Sequence, residues 1–183
     1  QRVSLRRAAV LGAGVMGRTI AAHLANAGIA TVMLDLGDLA RKAHQSLRQI
    51  DPAPLFLPDL DRLIEPGSLE HDLARAAEAD WIIEAIIEDL PTKQALLARL
   101  LPLWRPGTVV TTNTSGLPVG RIAEETPAEF RRFFLGAHFF NPPRYMKLLE
   151  IIPTPDTDPA ITAAVAGWGD RLLGKGIVHC KDT

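Results

Sequence analysis

Short apolar runs alternate along the chain with segments whose apolar positions recur at helical spacing. Residues 7–11 read as a buried strand. Met16, Ile20, Leu24 and Ala27 then mark a helix over residues 15–27, which Gly28 closes. A second apolar strand, residues 29–35, ends at Asp35, and residues 39–50 return to a helical pattern. The stretch DPAPLFLPDL holds Pro52, Pro54 and Pro58 and predicts an extended surface connection. A helix over residues 69–77 leads to a strand over residues 81–87, WIIEAII. Residues 91–101 form the next helix, with Pro91 suited to its first turn. The β-rich run 108–112 stops at Asn113. Strands 133–139 and 148–152 flank the turn-rich NPPRYM, and a helix over residues 159–173 precedes a short strand, 176–179. This alternation predicts an α/β fold with a largely parallel sheet.

With 183 residues the chain is expected to form one domain, long enough to bury a core without disulfides or metals. Its 20 basic and 21 acidic residues leave a net charge of −1, which argues against nucleic-acid binding through phosphate neutralisation and against a polybasic membrane anchor. No apolar run is long enough for a membrane span. The first residues lack the long apolar stretch and cleavage site of a signal peptide. Cys180, the one cysteine, has no partner for an internal disulfide, and a reducing, cytoplasmic location is expected.

Gly12-Ala13-Gly14-Val15-Met16-Gly17 matches G-x-G-x-x-G at the junction of a predicted strand and helix, the context in which the motif binds a dinucleotide. Gly12 permits a tight turn, Gly14 lets backbone approach a pyrophosphate, and Gly17 lets helix and strand pack closely. The helix start offers free N–H groups and a positive dipole end to phosphates. Asp35 closes the next strand 18 residues after Gly17. A carboxylate there can accept both ribose hydroxyls and repel a 2′-phosphate. Leu36 and Gly37 follow, without an arginine or lysine, so NAD is favoured over NADP. The expected architecture is a Rossmann-like doubly wound sheet with helices on both faces.

His138 lies inside an apolar strand, and Glu150 lies 12 residues later inside the next. Pairing of these strands through NPPRYM could set them side by side, as a general base and a carboxylate that orients it and stabilises its charged form. A buried, purely structural His–Glu pair fits the same pattern. Asn113 and Ser115, after another strand end, could offer an amide and a hydroxyl to a substrate oxygen. Six of the ten aromatic residues lie between Phe130 and Tyr145, as core bulk, as a dry wall beside a reactive group, or as both.

The motifs VLGAGVMG, IEAIIEDLPTK, TTNTSGLP, GAHFFNPPRYMKLLEII and GKGIVHCKDT together resemble the 3-hydroxyacyl-CoA dehydrogenases of fatty-acid β-oxidation, from about Arg6 to Thr183. The proline stretch and Pro142-Pro143 resemble the dehydrogenase part of bacterial fusion proteins that also carry an enoyl-CoA hydratase domain. The resemblance implies His138 as catalytic base, Glu150 as its partner and Ser115 as substrate-oxygen contact. It also implies Glu88, Lys93 and Asn141 near the ribose and nicotinamide side of NAD. Taken alone, Glu88 and Lys93 read as a solvated strand end and a helix-face lysine. The implied reaction oxidises 3-hydroxyacyl-CoA to 3-ketoacyl-CoA: His138 takes the hydroxyl proton while hydride passes from C3 to nicotinamide. Two other readings share the glycine loop. One is a β-hydroxyacid dehydrogenase with a lysine base, which lacks the H-F-F-N-P strand. The other is a non-catalytic NAD-binding module, which has no need of His138, Glu150 and Ser115 together.

In the family a helical domain follows the CKDT-type ending, covers the cleft and forms a homodimer; the resemblance implies that it is absent from these residues. It also implies a longer connection after Asp35 than Leu36-Gly37-Asp38 provides, so a mobile loop is expected to be missing there. The remaining candidates read blandly. His23 is packing or helix surface, His44 and His71 are solvated, and Cys180 is inert, without a nearby partner. His179 and Cys180 lack metal-site spacing, and no metal is expected.

Overall fold

The computed structural model describes residues 4–183; residues 1–3, the start of the segment considered above as a leader, lie outside the described residues. In chain order the elements are β1 (Arg7–Leu11), α1 (Val15–Asn26), β2 (Ala30–Asp35), α2 (Leu39–Ser46), β3 (Ile64–Ser68), α3 (Leu73–Ala76), β4 (Trp81–Glu84), α4 (Leu90–Leu100), β5 (Val109–Thr112), α5 (Val119–Ile122), α6 (Ala128–Arg131), β6 (Phe134–Phe139), β7 (Leu148–Pro153), α7 (Pro159–Arg171) and β8 (Gly176–His179).

The strands of the described residues form one sheet in the order β3-β2-β1-β4-β5-β6-β7-β8. β1 to β6 are parallel throughout, β7 turns back antiparallel to β6, and β8 runs parallel to β7. The order 3-2-1-4-5-6 is that of the doubly wound dinucleotide-binding fold.

Side chains alternate between two cores, one on each face. From β1, Ala8 and Val10 enter one core while Ala9 and Leu11 enter the other; Trp81 and Ile83 of β4 divide from Ile82 in the same way. A strand buried on both faces needs apolar residues at every position, which is why these segments read as unbroken runs. Each fully buried large aliphatic or aromatic side chain contributes about 1.5–3 kcal/mol.

Several boundaries differ from the sequence expectation. β3, residues IEPGS, was not anticipated because Pro66 and Gly67 argue against a strand; it lies at the sheet edge, where a proline is tolerated. The helix expected over residues 69–77 shrinks to Leu73–Ala76. Ahead of it, Ser68 N–H donates to Asp72 and His71 N–H donates to the Ser68 hydroxyl, and these local bonds compete with helix. The helix over residues 39–50 ends at Ser46 and tightens into a 3₁₀ turn, Leu47–Gln49. The strand at Trp81 stops at Glu84, and the chain then bends over the site. α5 and α6, each starting after a proline, went unread. The proline segment is not simply a surface strap: Leu55 joins the core, and Pro58–Leu63 forms a 3₁₀ helix. Arg144 and Tyr145 bind the carbonyl of Ala53, and Asn26 binds Pro54 and Phe56.

His44 is half-buried against the carbonyl of Asp61 at 2.8 Å rather than solvated. His23 is buried in α1, its Nε2 3.2 Å from the carbonyl of Leu173. Its pKa is pushed down to about 4, by burial first, then by the charge of Lys175, with smaller effects of Lys147 and Arg144; the Leu173 carbonyl opposes the shift. An unfolded histidine binds a proton below about 6.5. His23's contribution to stability is therefore complete above that pH and is lost as pH falls toward about 4, amounting to about 3 kcal/mol. His23→Gln, which keeps a donor for Leu173, should flatten the decline in urea-unfolding stability across this interval. An unaltered slope would assign it to other groups.

Candidate functional site

The chain leaves β1 toward β2 on one side of the sheet and reaches β5 from β4 on the other, so a crevice opens at the carboxyl ends of β1 and β4. The glycine loop lies there. Gly12 has φ +111°, and a Cβ on it would fall 2.4 Å from the carbonyl oxygen of Ala85. A Cβ on Gly17 would fall 1.9 Å from the carbonyl oxygen of Gly12. No side chain caps α1 at Gly14, which leaves the first-turn N–H groups facing outward. Asp35, at the end of β2, accepts from Ala13 N–H and Leu36 N–H, both at 2.7 Å.

Two cavities meet over this loop along Gly14, Ala85, Ile86 and Ile87. One, of about 460 Å³, is walled by Asp35, Leu36, Leu69 and Leu96. The other, of about 410 Å³, brings together Val15, Met16, Glu88, Lys93, Asn113, Ser115, His138 and Asn141. Residues drawn from six separate stretches of sequence thus share one surface.

His138 and Glu150 are direct antiparallel partners in β6 and β7 and therefore project from the same face. His138 Nδ1 lies 3.9 Å from Glu150 Oε1, near enough for electrostatic support but longer than a hydrogen bond. Glu150 stands behind His138 and does not line the cavity. Phe140 meets the His138 ring edge-on at 4.7 Å, and Phe139 stacks on Trp81. Phe130, Phe133 and Trp104 cluster elsewhere, so only part of the aromatic segment forms a wall here. Cys180 does have a neighbour: its Sγ donates to Glu150 Oε2 at 3.6 Å. Burial, with the Glu150 charge and hydrogen bond, pushes this thiol up, which keeps it unreactive.

Beneath the cavity Glu84 and Lys93 are both inaccessible to solvent and 2.6 Å apart. Lys93 is thus no helix-face lysine. Glu84 also accepts from Thr112 Oγ1 at 2.6 Å and Ile86 N–H at 2.8 Å. Lys93 Nζ reaches the carbonyl of Ile86 and lies 3.9 Å from Glu88. Glu88 in turn accepts from Thr114 Oγ1 and from Ser115 N–H. Burial pushes Glu88 up, but the bonds from Thr114 and Ser115 and the charge of Lys93 outweigh it, holding the carboxyl below its usual range. Asn113 is turned inward: its Oδ1 accepts from Phe139 N–H at 2.8 Å, beside His138.

The sequence model of the family described as "3-hydroxyacyl-CoA dehydrogenase, NAD binding domain" matches residues 7–183. The chain belongs to that family. A probable 3-hydroxyacyl-CoA dehydrogenase of Bacillus subtilis is 43% identical over 201 residues, covering 98% of this chain and 26% of that protein. One of the same description from Deinococcus radiodurans is 41% identical over 188 residues, covering 98% and 54%. The chain therefore spans about a quarter to about half of these relatives. The crystal structure of Mycobacterium tuberculosis FadB2 superposes with a TM-score of 0.87 at 29% identity, covering 98% of this chain and 65% of that one.

An NAD-binding domain has to bring backbone against a pyrophosphate, and the residues here fit that need. A Cβ on Gly14 would meet no protein atom within 4 Å, so the open space above it is available to a ligand. The uncapped start of α1 and the Asp35 carboxylate flank that space. In this chain Leu36, Gly37 and Asp38 join β2 to α2. Two residues of this NAD-binding domain escaped sequence reasoning. Glu84 was signalled only as a lone carboxylate in WIIEAII. Lys175, between two glycines, is buried and donates to the carbonyls of Pro143 and Met146, stapling the turn that carries Asn141. Burial, aided by Lys147, pushes its pKa down to about 8. Among the described residues no cluster of histidine, cysteine or carboxylate side chains could hold a metal, and no helix is long and apolar enough to cross a membrane.

Lys93→Met should destabilise the domain by about 3–5 kcal/mol in chemical unfolding, because it leaves Glu84 buried without its counter-charge. The double variant Glu84→Gln/Lys93→Met removes both charges and should recover much of that loss. Equal destabilisation of the single and double variants would show that charge pairing is not what holds these loops.

Proposed function

We propose that this chain is the cofactor-binding and base-bearing part of an NAD-dependent L-3-hydroxyacyl-CoA dehydrogenase acting in fatty-acid β-oxidation. The observation that carries the reading is His138, which faces a cavity shared with Ser115 and the glycine loop and has Glu150 behind it. Gly12, Gly14, Val15, Met16 and Gly17 would hold the pyrophosphate, and Asp35 the adenosine ribose. Glu88, Lys93, Asn113 and Asn141 would shape the nicotinamide side, Lys93 and Asn113 by fixing the loops around it. Bound NAD supplies the hydride acceptor at C4 of its nicotinamide. His138 takes the proton of the substrate 3-hydroxyl, Glu150 offsets the imidazolium charge, and Ser115 with His138 holds the developing ketone oxygen. A lysine base is disfavoured because Lys93, which lines this cavity, is committed to Glu84.

The reading includes a helical domain outside these residues that closes the substrate side and forms a homodimer, within a multifunctional cytoplasmic protein. Its support is the motif resemblance and the greater length of the relatives. Calorimetric titration should show NAD binding to this chain, weakened roughly ten- to hundredfold by Asp35→Ala, the scale of hydrogen bonds to a charged group. Equal affinity would remove Asp35 from ribose recognition. In a chain extended through the second domain, His138→Ala should lower acetoacetyl-CoA reduction by about 10²–10⁴-fold. An unchanged rate would exclude His138 as the base.

A further inference from the structure

The two backbone amides that follow β2 are both occupied by carboxylates. Leu36 N–H donates to Asp35 Oδ1 at 2.7 Å, and Gly37 N–H donates to both oxygens of Glu70 at 3.0 and 3.1 Å. Glu70 arrives from the neighbouring edge strand. Asp35 is in register with Ser68, and Leu69 N–H bonds the carbonyl of Asp35 at 2.8 Å, so Glu70 follows at the same end of the sheet. Its own N–H and that of Gly37 hold its carboxyl below the usual range, so it carries full charge near neutral pH. Gly37 and Glu70 open on a polar cavity of about 660 Å³ that adjoins Asp35 through Leu36 and Gly37. Arg41, Asp38, His71, Asp72 and Arg75 face it too; Arg75 is engaged by Glu65 at 2.7 Å and Asp38 by Lys42 at 3.4 Å.

We propose that Glu70 acts with Asp35 to select a dinucleotide with a free ribose 2′-hydroxyl over one carrying a 2′-phosphate. This deepens the NAD-binding reading and rests on it. A 2′-phosphate next to the Asp35 position needs hydrogen-bond donors and positive charge. The chain's own carboxylates already take both nearby amides, and a phosphate group of charge near −2 meets two fixed negative charges. Asp35 was legible as a selector from the sequence. Glu70 was not, because only the pairing of β2 with β3 brings it to Gly37.

Glu70→Gln keeps an oxygen acceptor for Gly37 and removes the charge, leaving Arg41 facing the cavity. NADH and NADPH affinities of wild type, Glu70→Gln and Asp35→Ala are measured by fluorescence titration. In Glu70→Gln the affinity for NADPH relative to NADH should rise about tenfold, equivalent to roughly 1.4 kcal/mol. The difference from wild type should shrink at about 1 M salt, where the Debye length falls to about 3 Å. An unchanged NADPH-to-NADH ratio, or equal weakening of both, would overturn the role of Glu70 while leaving NAD binding intact. Failure of the wild-type chain to bind either dinucleotide would instead overturn the reading on which it rests.

Discussion

A carboxylate that reaches no solvent must find its counter-charge and hydrogen bonds inside the protein, and Glu84 finds them on three separate stretches of chain. Lys93 comes from α4, Thr112 from the end of β5, and Ile86 N–H from the bend after β4. Desolvating two charges costs several kcal/mol per ion and is offset only when geometry and hydrogen bonding are nearly complete. That requirement fixes where the chain goes after β4 and β5. The bend carries Ala85 and Ile86 over the glycine loop, and the segment after Thr112 carries Asn113 and Ser115 into the cavity. Glu88 repeats the logic nearer the surface by clasping Thr114 and Ser115. The polar floor of the cleft is thus a connected network in which few members can move alone.

The opposite side of the cleft depends on strand register instead of charge. β6 and β7 are antiparallel, and their register sets His138 against Glu150. A slip of one residue would turn either side chain to the other face and separate the pair. Asn113 reinforces the alignment by binding Phe139 N–H, and Lys175 holds the turn beyond it. These tethers tie the antiparallel hairpin to the parallel sheet. The glycine loop, the Ser115 loop and His138 therefore keep a common geometry although they belong to different parts of the topology.

Much of this was legible in the sequence. Buried parallel strands need continuous apolar runs, so β1, β2, β4, β5 and β6 stood out, and Gly12, Gly14, Gly17 and Asp35 carried the spacing of a nucleotide loop. The edge strand β3 did not, because Pro66 and Gly67 mimic a turn and only pairing with β2 makes them a strand. His44 looked like a solvated helix residue until Asp61 was seen to cover it. Cys180 looked isolated because its neighbour Glu150 is 30 residues away in sequence.

The sequence by itself determined the alternation of strands and helices, the position of the glycine loop and the place of His138 inside an apolar strand. These follow from local periodicity and short spacings, which act within a few residues. Only the tertiary structure decided that Lys93 turns inward to Glu84, that His138 stands at 3.9 Å from Glu150, and that Glu70 reaches Gly37. Each of those depends on helix rotation or strand register between distant segments, and these are set by the packing of two cores against one sheet.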